Sequence, residues 1–227
     1  MKLIPLFLLV GMLSLIGCTD RPKPQTLSDQ PSEKPFSEDT YSIALQKKAE
    51  SGDAAAQYNL GRCYYGGLGA PKDYKEAVKW ISSAAAQGNA DAQYELGGFY
   101  SEGLSVPKNE KQAGYSEGVA IHKDEKQAGT WYLKAGIQGH VLAQYKIGQC
   151  LMNGKIFEKD QKEAVNWFKK AAEQRNAKAA CALACCYFSG TGIAKDEKEA
   201  EKWFSLAANE GDLEALRALA EIQNARK

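Results

Sequence analysis

Histidine is nearly missing from this chain of 227 residues, with His122 and His140 the only two. Few metal sites or neutral-pH acid–base pairs can be assembled from that stock. Charge of one sign is also missing. With 29 Lys and Arg against 28 Asp and Glu the net charge is +1, which leaves no electrostatic footprint for nucleic acid or an anionic membrane surface. Six cysteines are too few, and too irregularly placed, to form a disulfide framework in a chain this long. The apolar run from Leu3 to Ile16 is broken by Pro5, Gly11 and Ser14 and is too short to span a bilayer. What remains is ordinary globular composition, 44% hydrophobic and 25% charged.

Lys2 followed by that run has the pattern of a secretory signal. The run ends in Leu15-Ile16-Gly17-Cys18, which resembles the lipobox of bacterial lipoproteins. The resemblance implies a signal peptide over 1–17 and a diacylglyceryl thioether on Cys18, with a palmitate-type acyl group on its amine. Several acyl chains anchor a protein to a membrane far better than one does. An ordinary secretory signal with a coincidental cysteine is the other reading. Thr19, rather than Asp, follows the cysteine, and by resemblance to enterobacterial sorting this favours the outer membrane, facing the periplasm. Residues 18–40 hold Pro22, Pro24, Pro31 and Pro35 among polar residues, with Phe36 the only aromatic, so a disordered, semi-extended tether is expected.

From residue 41 to residue 227 the chain repeats itself. Trp80, Trp131, Trp167 and Trp203 are spaced 51, 36 and 36 residues apart, and the excess of 15 is a tandem copy. Tyr100 to Gly114 and Tyr115 to Gly129 match at ten of fifteen positions. Four units of period 36 result, the second enlarged by a duplication within 100–129. The first copy, with Pro107, Asn109 and Gly114, is expected to bulge as a long loop.

Each unit reads as two helices. The first carries a core stripe such as Ala56, Leu60, Cys63 and Tyr64, or Ala179, Leu183, Cys186 and Tyr187. Gly61, Gly97 and Gly148 recur mid-helix, where glycine costs ~1 kcal/mol relative to alanine, so close helix approach is expected. Ala184 takes that place in the fourth unit. The second helix opens on a capping box: Asp73 with Glu76, Asp124 with Gln127, Asp160 with Glu163, and Asp196 with Glu199. Gly88, Gly139 and Gly211 close three units, and Arg175 closes the third. A half-unit helix at Ala44 to Gly52 precedes the units and another at Leu213 to Gln223 follows them.

The pattern Ala-x-Ala-Gln-Tyr-x-Leu-Gly-x-x-Tyr-x-x-Gly-x-Gly, then Asp-x-x-Glu-Ala-x-x-Trp and Ala-Ala-x-x-Gly, resembles the Sel1-like repeat, a relative of tetratricopeptide repeats. The resemblance covers about Ala44 to Gln223 and implies an all-α fold, a right-handed α-solenoid of antiparallel helix pairs. It further implies a non-enzymatic adaptor for a protein or peptide partner; from charge and residue stock, no nucleic acid, metal or cofactor is expected. Positions that vary between units at helical spacing are expected to line a concave docking face. They are Asn59, Arg62 and Gly66; Glu95, Gly98 and Glu102; Lys146, Gln149 and Asn153; and Ala182, Cys185 and Ser189.

Some cysteine-rich Sel1-like proteins are regarded as penicillin-binding or weakly β-lactam-hydrolysing, which supplies an alternative function. That subgroup pairs cysteines between the two helices of a unit, whereas here no second helix contains one. Cys63, Cys150 and Cys186 fall at equivalent core positions, and Cys181 and Cys185 lie one turn apart, so buried free thiols are expected.

Overall fold

A computed structural model describes residues 42–104 and 121–225. The signal segment 1–17, Cys18, the tether, and Pro107, Asn109 and Gly114 of the duplication lie outside the described residues. The described residues form ten α-helices and no strand. None of these helices is long and apolar enough to cross a membrane. They fall into two compact units, taken separately below.

The N-terminal unit contains α1 (Ile43–Glu50), α2 (Ala54–Gly66), α3 (Tyr74–Ala86), α4 (Ala90–Glu102) and α5 (Glu125–Ile137). The C-terminal unit contains α6 (Val141–Asn153), α7 (Gln161–Glu173), α8 (Ala177–Ser189), α9 (Glu197–Asn209) and α10 (Leu213–Ala225). Within each unit every helix packs on its sequence neighbours, as short connections require. Helices α2–α3, α4–α5, α6–α7 and α8–α9 are the four pairs, with α1 and α10 unpaired.

The aspartates expected to cap the second helices do so. Asp73, Asp124, Asp160 and Asp196 each accept from a backbone N–H two or three residues on. The second half of the capping box takes a different form. Instead of meeting the following Glu or Gln, the aspartate N–H donates across the pair, to the carbonyls of Tyr64, Tyr100, Leu151 and Tyr187 at 2.8–3.0 Å. The first helix thereby fixes where the second begins, and Glu76 is released to accept from the Trp80 indole N–H at 3.0 Å. The bond from Asp124 to Tyr100 is the same in the enlarged unit, so the duplication leaves the helix pair unchanged. Its base is pinched by the bond from Leu104 N–H to the Ile121 carbonyl, 2.9 Å, with both side chains buried.

The mid-helix glycines mark close approach, as expected. A Cβ on Gly148 would stand 2.6 Å from the Phe168 ring, and one on Gly97 would stand 2.7 Å from Tyr132. Phe168 is one of the largest fully buried side chains, and covering such a ring is worth about 1.5–3 kcal/mol. At the unit boundaries Gly52, Gly88, Gly139 and Gly211 hold φ between 88° and 95°, and Arg175 takes a left-handed φ of 64° in the same place. For a residue with a Cβ that conformation costs roughly 1–2 kcal/mol. The repeat geometry imposes it regardless of residue type.

Three polar side chains are buried among the described residues, Gln57 and Gln93 in the N-terminal unit and Gln144 in the C-terminal unit. Gln57 donates to the Ala49 carbonyl and Gln93 to the Ala85 carbonyl, bonding the end of the preceding helix. Each also accepts from a glutamine at the end of the following second helix: Gln87 to Gln57, Gln138 to Gln93 and Gln174 to Gln144, at 2.7–2.8 Å. Burying these amides is affordable only because such bonds satisfy them.

Candidate interaction surface

Helices α2 and α4 are started by Asp53 and Asn89, whose side chains accept from Ala56 N–H and Ala92 N–H at 2.7 and 2.8 Å. Those caps set the phase of both helices. Tyr58 and Arg62 of α2 then face Asp91 and Glu95 of α4. Tyr58 Oη donates to Glu95 Oε1 at 3.2 Å, and Arg62 Nε lies 3.8 Å from the same oxygen. The Arg62 guanidinium sits over the Tyr58 ring, 5.7 Å from its centre. On the other side His140 Nε2 lies 3.1 Å from Asp91 Oδ1, and the imidazole stacks on Tyr94 with ring centres 4.7 Å apart.

Glu95 is the unusual member. Its side chain is 8% exposed, and its second oxygen, Oε2, is closed to solvent and has no hydrogen-bond partner. Burial pushes its carboxyl up to about 7, a shift that Arg62 and the Tyr58 hydrogen bond only partly offset and that Asp91 adds to. Burial, followed by the Glu95 charge, raises the Tyr58 hydroxyl. Burial with Glu95 and Glu102 pushes Tyr94 up to about 12. The hydrogen bond from His140 holds the Asp91 carboxyl below the usual range against its partial burial. Around this face of α4 the carboxylates add to burial in raising the tyrosine hydroxyls, and Arg62 opposes them at Tyr58.

Of the residues expected to line the docking face, Arg62 and Glu95 are brought together. Asn59 is half-buried and Glu102 is exposed. In the C-terminal unit Lys146 and Gln149 are half-buried, and Gln149 donates to Tyr145 Oη at 2.9 Å. Cys185 does not belong to the face, being 1% exposed. A cysteine ends one atom beyond Cβ and stays beneath its neighbours, where Arg62 and Gln149 at the same register reach out. Its thiol instead interacts with Cys181 one turn back, and this interaction, ahead of burial, raises the Cys181 thiol.

Periodicity alone missed Tyr58, Asp91, Tyr94 and His140. Tyr58, Tyr94 and Tyr145 recur in register and so resemble core, although the Tyr58 hydroxyl donates to Glu95 and the Tyr145 hydroxyl accepts from Gln149. The signal at His140 was its occupation of a helix-start position that Asp53, Asn89, Asn176 and Asp212 fill elsewhere.

All five described cysteines are buried and none forms a disulfide with another of them, and burial, then Cys185, pushes the Cys186 thiol up to about 12. No group of three or more His, Cys, Asp or Glu placed to hold a metal ion occurs among the described residues. Two serine motifs with hydrolase spacing also occur in the sequence, Ser105-Val106-Pro107-Lys108 and Gly114-Tyr115-Ser116-Glu117-Gly118. The second arises where the two copies of the duplication join, and the first has no counterpart in the second copy, where Ala120 replaces the serine. Both lie within 105–120, outside the described residues.

Comparison with known proteins decides the family. The Sel1 repeat matches residues 54–89, 90–115, 112–140, 141–176 and 177–212. The chain belongs to the Sel1 repeat family. The second and third Sel1 matches overlap at 112–115 and together cover the single pair α4–α5 with its duplication. A Sel1 repeat protein from Oxalobacter formigenes is similar at 33% identity and TM-score 0.64, over 78% of this chain and 65% of that one. A protective antigen of uropathogenic Escherichia coli strains, displaying an SLR fold, is similar at 34% identity and TM-score 0.65, over 76% of this chain and 34% of that one. A sel1-like repeat-containing protein of Acanthamoeba polyphaga mimivirus is 49% identical over 37 residues, 16% of this chain and 6% of that one. The chain spans only part of the length of each.

Proposed function

We propose that this Sel1 repeat protein is a non-enzymatic interaction scaffold, held by lipid on Cys18 to a bacterial envelope membrane, with the outer membrane facing the periplasm favoured. It docks a protein or peptide partner on the first-helix face around Arg62 and Glu95. The observation that carries the docking reading is Glu95, a carboxylate held 8% exposed with one oxygen unpaired. A buried orphan of this kind costs about 1–3 kcal/mol, more when charged, and a purely structural position would be filled at less expense by an apolar residue. The anchor rests on the sequence Leu15-Ile16-Gly17-Cys18. β-Lactam hydrolysis has no observation in its favour among the described residues.

Crosslinking the tethered protein in its native envelope should capture one discrete partner, and the capture should be lost when Arg62, Glu95 and Lys146 are replaced together. Cys18→Ser should end incorporation of labelled palmitate and release the protein from the membrane fraction. Random capture of neighbours overturns the docking reading, and unchanged membrane association overturns the anchor.

A further inference from the structure

We infer that Glu95 in the N-terminal unit, once Arg62 swings aside, recognises the primary ammonium of a lysine side chain carried on the partner's exposed segment. The inference rests on the docking reading and gives it a chemistry. Glu95 Oε1 is already engaged, by the Tyr58 hydroxyl at 3.2 Å and by Arg62 at 3.8 Å. Oε2 is unengaged although the side chain is more than nine-tenths buried. A single vacant oxygen suits a point charge with rotatable donors. A guanidinium, whose planar fork is built to span both oxygens of a carboxylate, would have to displace Tyr58 as well.

The Tyr58 ring suits the rest of a lysine: its hydroxyl is bonded to Glu95, and such a ring can cover an aliphatic stem while the ammonium lies against a π face and the carboxylate. The Tyr58 ring already holds the Arg62 guanidinium over its face. The field has the right sign, because Asp91 and Glu102 share α4 with Glu95 and the ionisations of Tyr58, Tyr65 and Tyr94 are all raised by these carboxylates in addition to burial. The charged and titratable groups around Glu95 are Tyr58, Arg62 and Tyr65 from α2 and Asp91 and Tyr94 from α4, with His140 beyond Asp91. Oε2 is closed to solvent, so entry requires a side chain to move aside. Arg62 is the group to move, since its contact with Glu95 is longer than a hydrogen bond.

The ligand then replaces the counter-charge that Arg62 supplies imperfectly, and binding draws Glu95 into its ionised form. Because burial holds that carboxyl near 7, binding releases a proton at neutral pH and weakens in acid. If only ionised Glu95 binds, affinity falls about tenfold from pH 8 to pH 6.

The experiment titrates the full-length protein with Nα-acetyl-lysine amide and, separately, with the uncharged Nα-acetyl-norleucine amide, following the Glu95 side-chain carboxyl by carbon-13 NMR. Saturable binding of the lysine probe alone is expected, with the Glu95 titration moved downward and the pH dependence just given. Glu95→Gln should lose the binding, while Arg62→Gln should keep or tighten it. Equal response to norleucine, binding undiminished in Glu95→Gln, or loss in Arg62→Gln overturns the assignment. A crosslinked partner with no response to the lysine probe overturns this site and leaves the scaffold reading standing. Probe binding with no captured partner does the reverse.

Discussion

Replacing Gly148 with alanine sets a methyl group 2.6 Å from two atoms of the Phe168 ring and 3.2 Å from the Ala164 carbonyl oxygen. None of these is the end of a flexible chain. Phe168 is 1% exposed and boxed into the core of the C-terminal unit, and Ala164 O is backbone. Inserting a methyl into a packed core costs about 1–3 kcal/mol, and the lack of any yielding neighbour places this site in the upper part of that range. Alanine recovers about 1 kcal/mol of helix propensity over glycine. The net expectation is a loss of roughly 1–2 kcal/mol. The fourth unit supplies the reverse experiment. There Ala184 and Phe204 hold the same register, both fully buried, and packing has formed around the methyl. Ala184→Gly loses about 1 kcal/mol of propensity and a buried methyl worth about 0.8 kcal/mol. Both exchanges should therefore destabilise, although each gives one unit the residue the other carries. Urea unfolding followed by circular dichroism measures this, and the Gly148→Ala cost should shrink in a Phe168→Leu background, because the two sites touch. A Gly148→Ala protein more stable than the parent by the propensity difference would refute the close-approach argument.

Two further outcomes follow from buried groups. The Glu95 carboxyl is raised from its ordinary 4.5 to about 7 by burial. Its favourable contribution is therefore complete below the unfolded value and lost as pH rises through the folded one; relative to Glu95→Gln, the parent should lose at most about 3 kcal/mol between pH 4.5 and 7, and parallel urea midpoints across that window would contradict this. Cys63, Cys181, Cys185 and Cys186 are 7% exposed or less, and Cys63, Cys181 and Cys186 have raised thiols; they should resist maleimide at pH 8 until denaturant is added, as read by mass spectrometry, and rapid native labelling would show that α2 (at Cys63) or α8 (at the other three) opens locally.

The outline of the fold was legible in the sequence because the signals for it are local. A cap aspartate, a tryptophan seven residues on and a small-residue stripe each act within one or two turns, so their recurrence set the helix pairs and identified the duplication as one unit. The same locality showed that Asp124 starts α5 despite the 15 extra residues before it. Tertiary structure decided which polar groups lie inside. Helical phase gives a side chain's direction to within about one position, whereas exposure depends on its length and on what the next helix places over it. Cys185, at the register of Arg62 and Gln149, is covered because it is short, and Gln57, Gln93 and Gln144 are buried because neighbouring helices supply their bonds. Glu95 was marked by sequence as a variable surface position. Only the approach of Tyr58 and Arg62 from α2 made it a buried carboxylate with one oxygen unpaired, because residues 33 and 37 positions away in the chain meet there through packing alone.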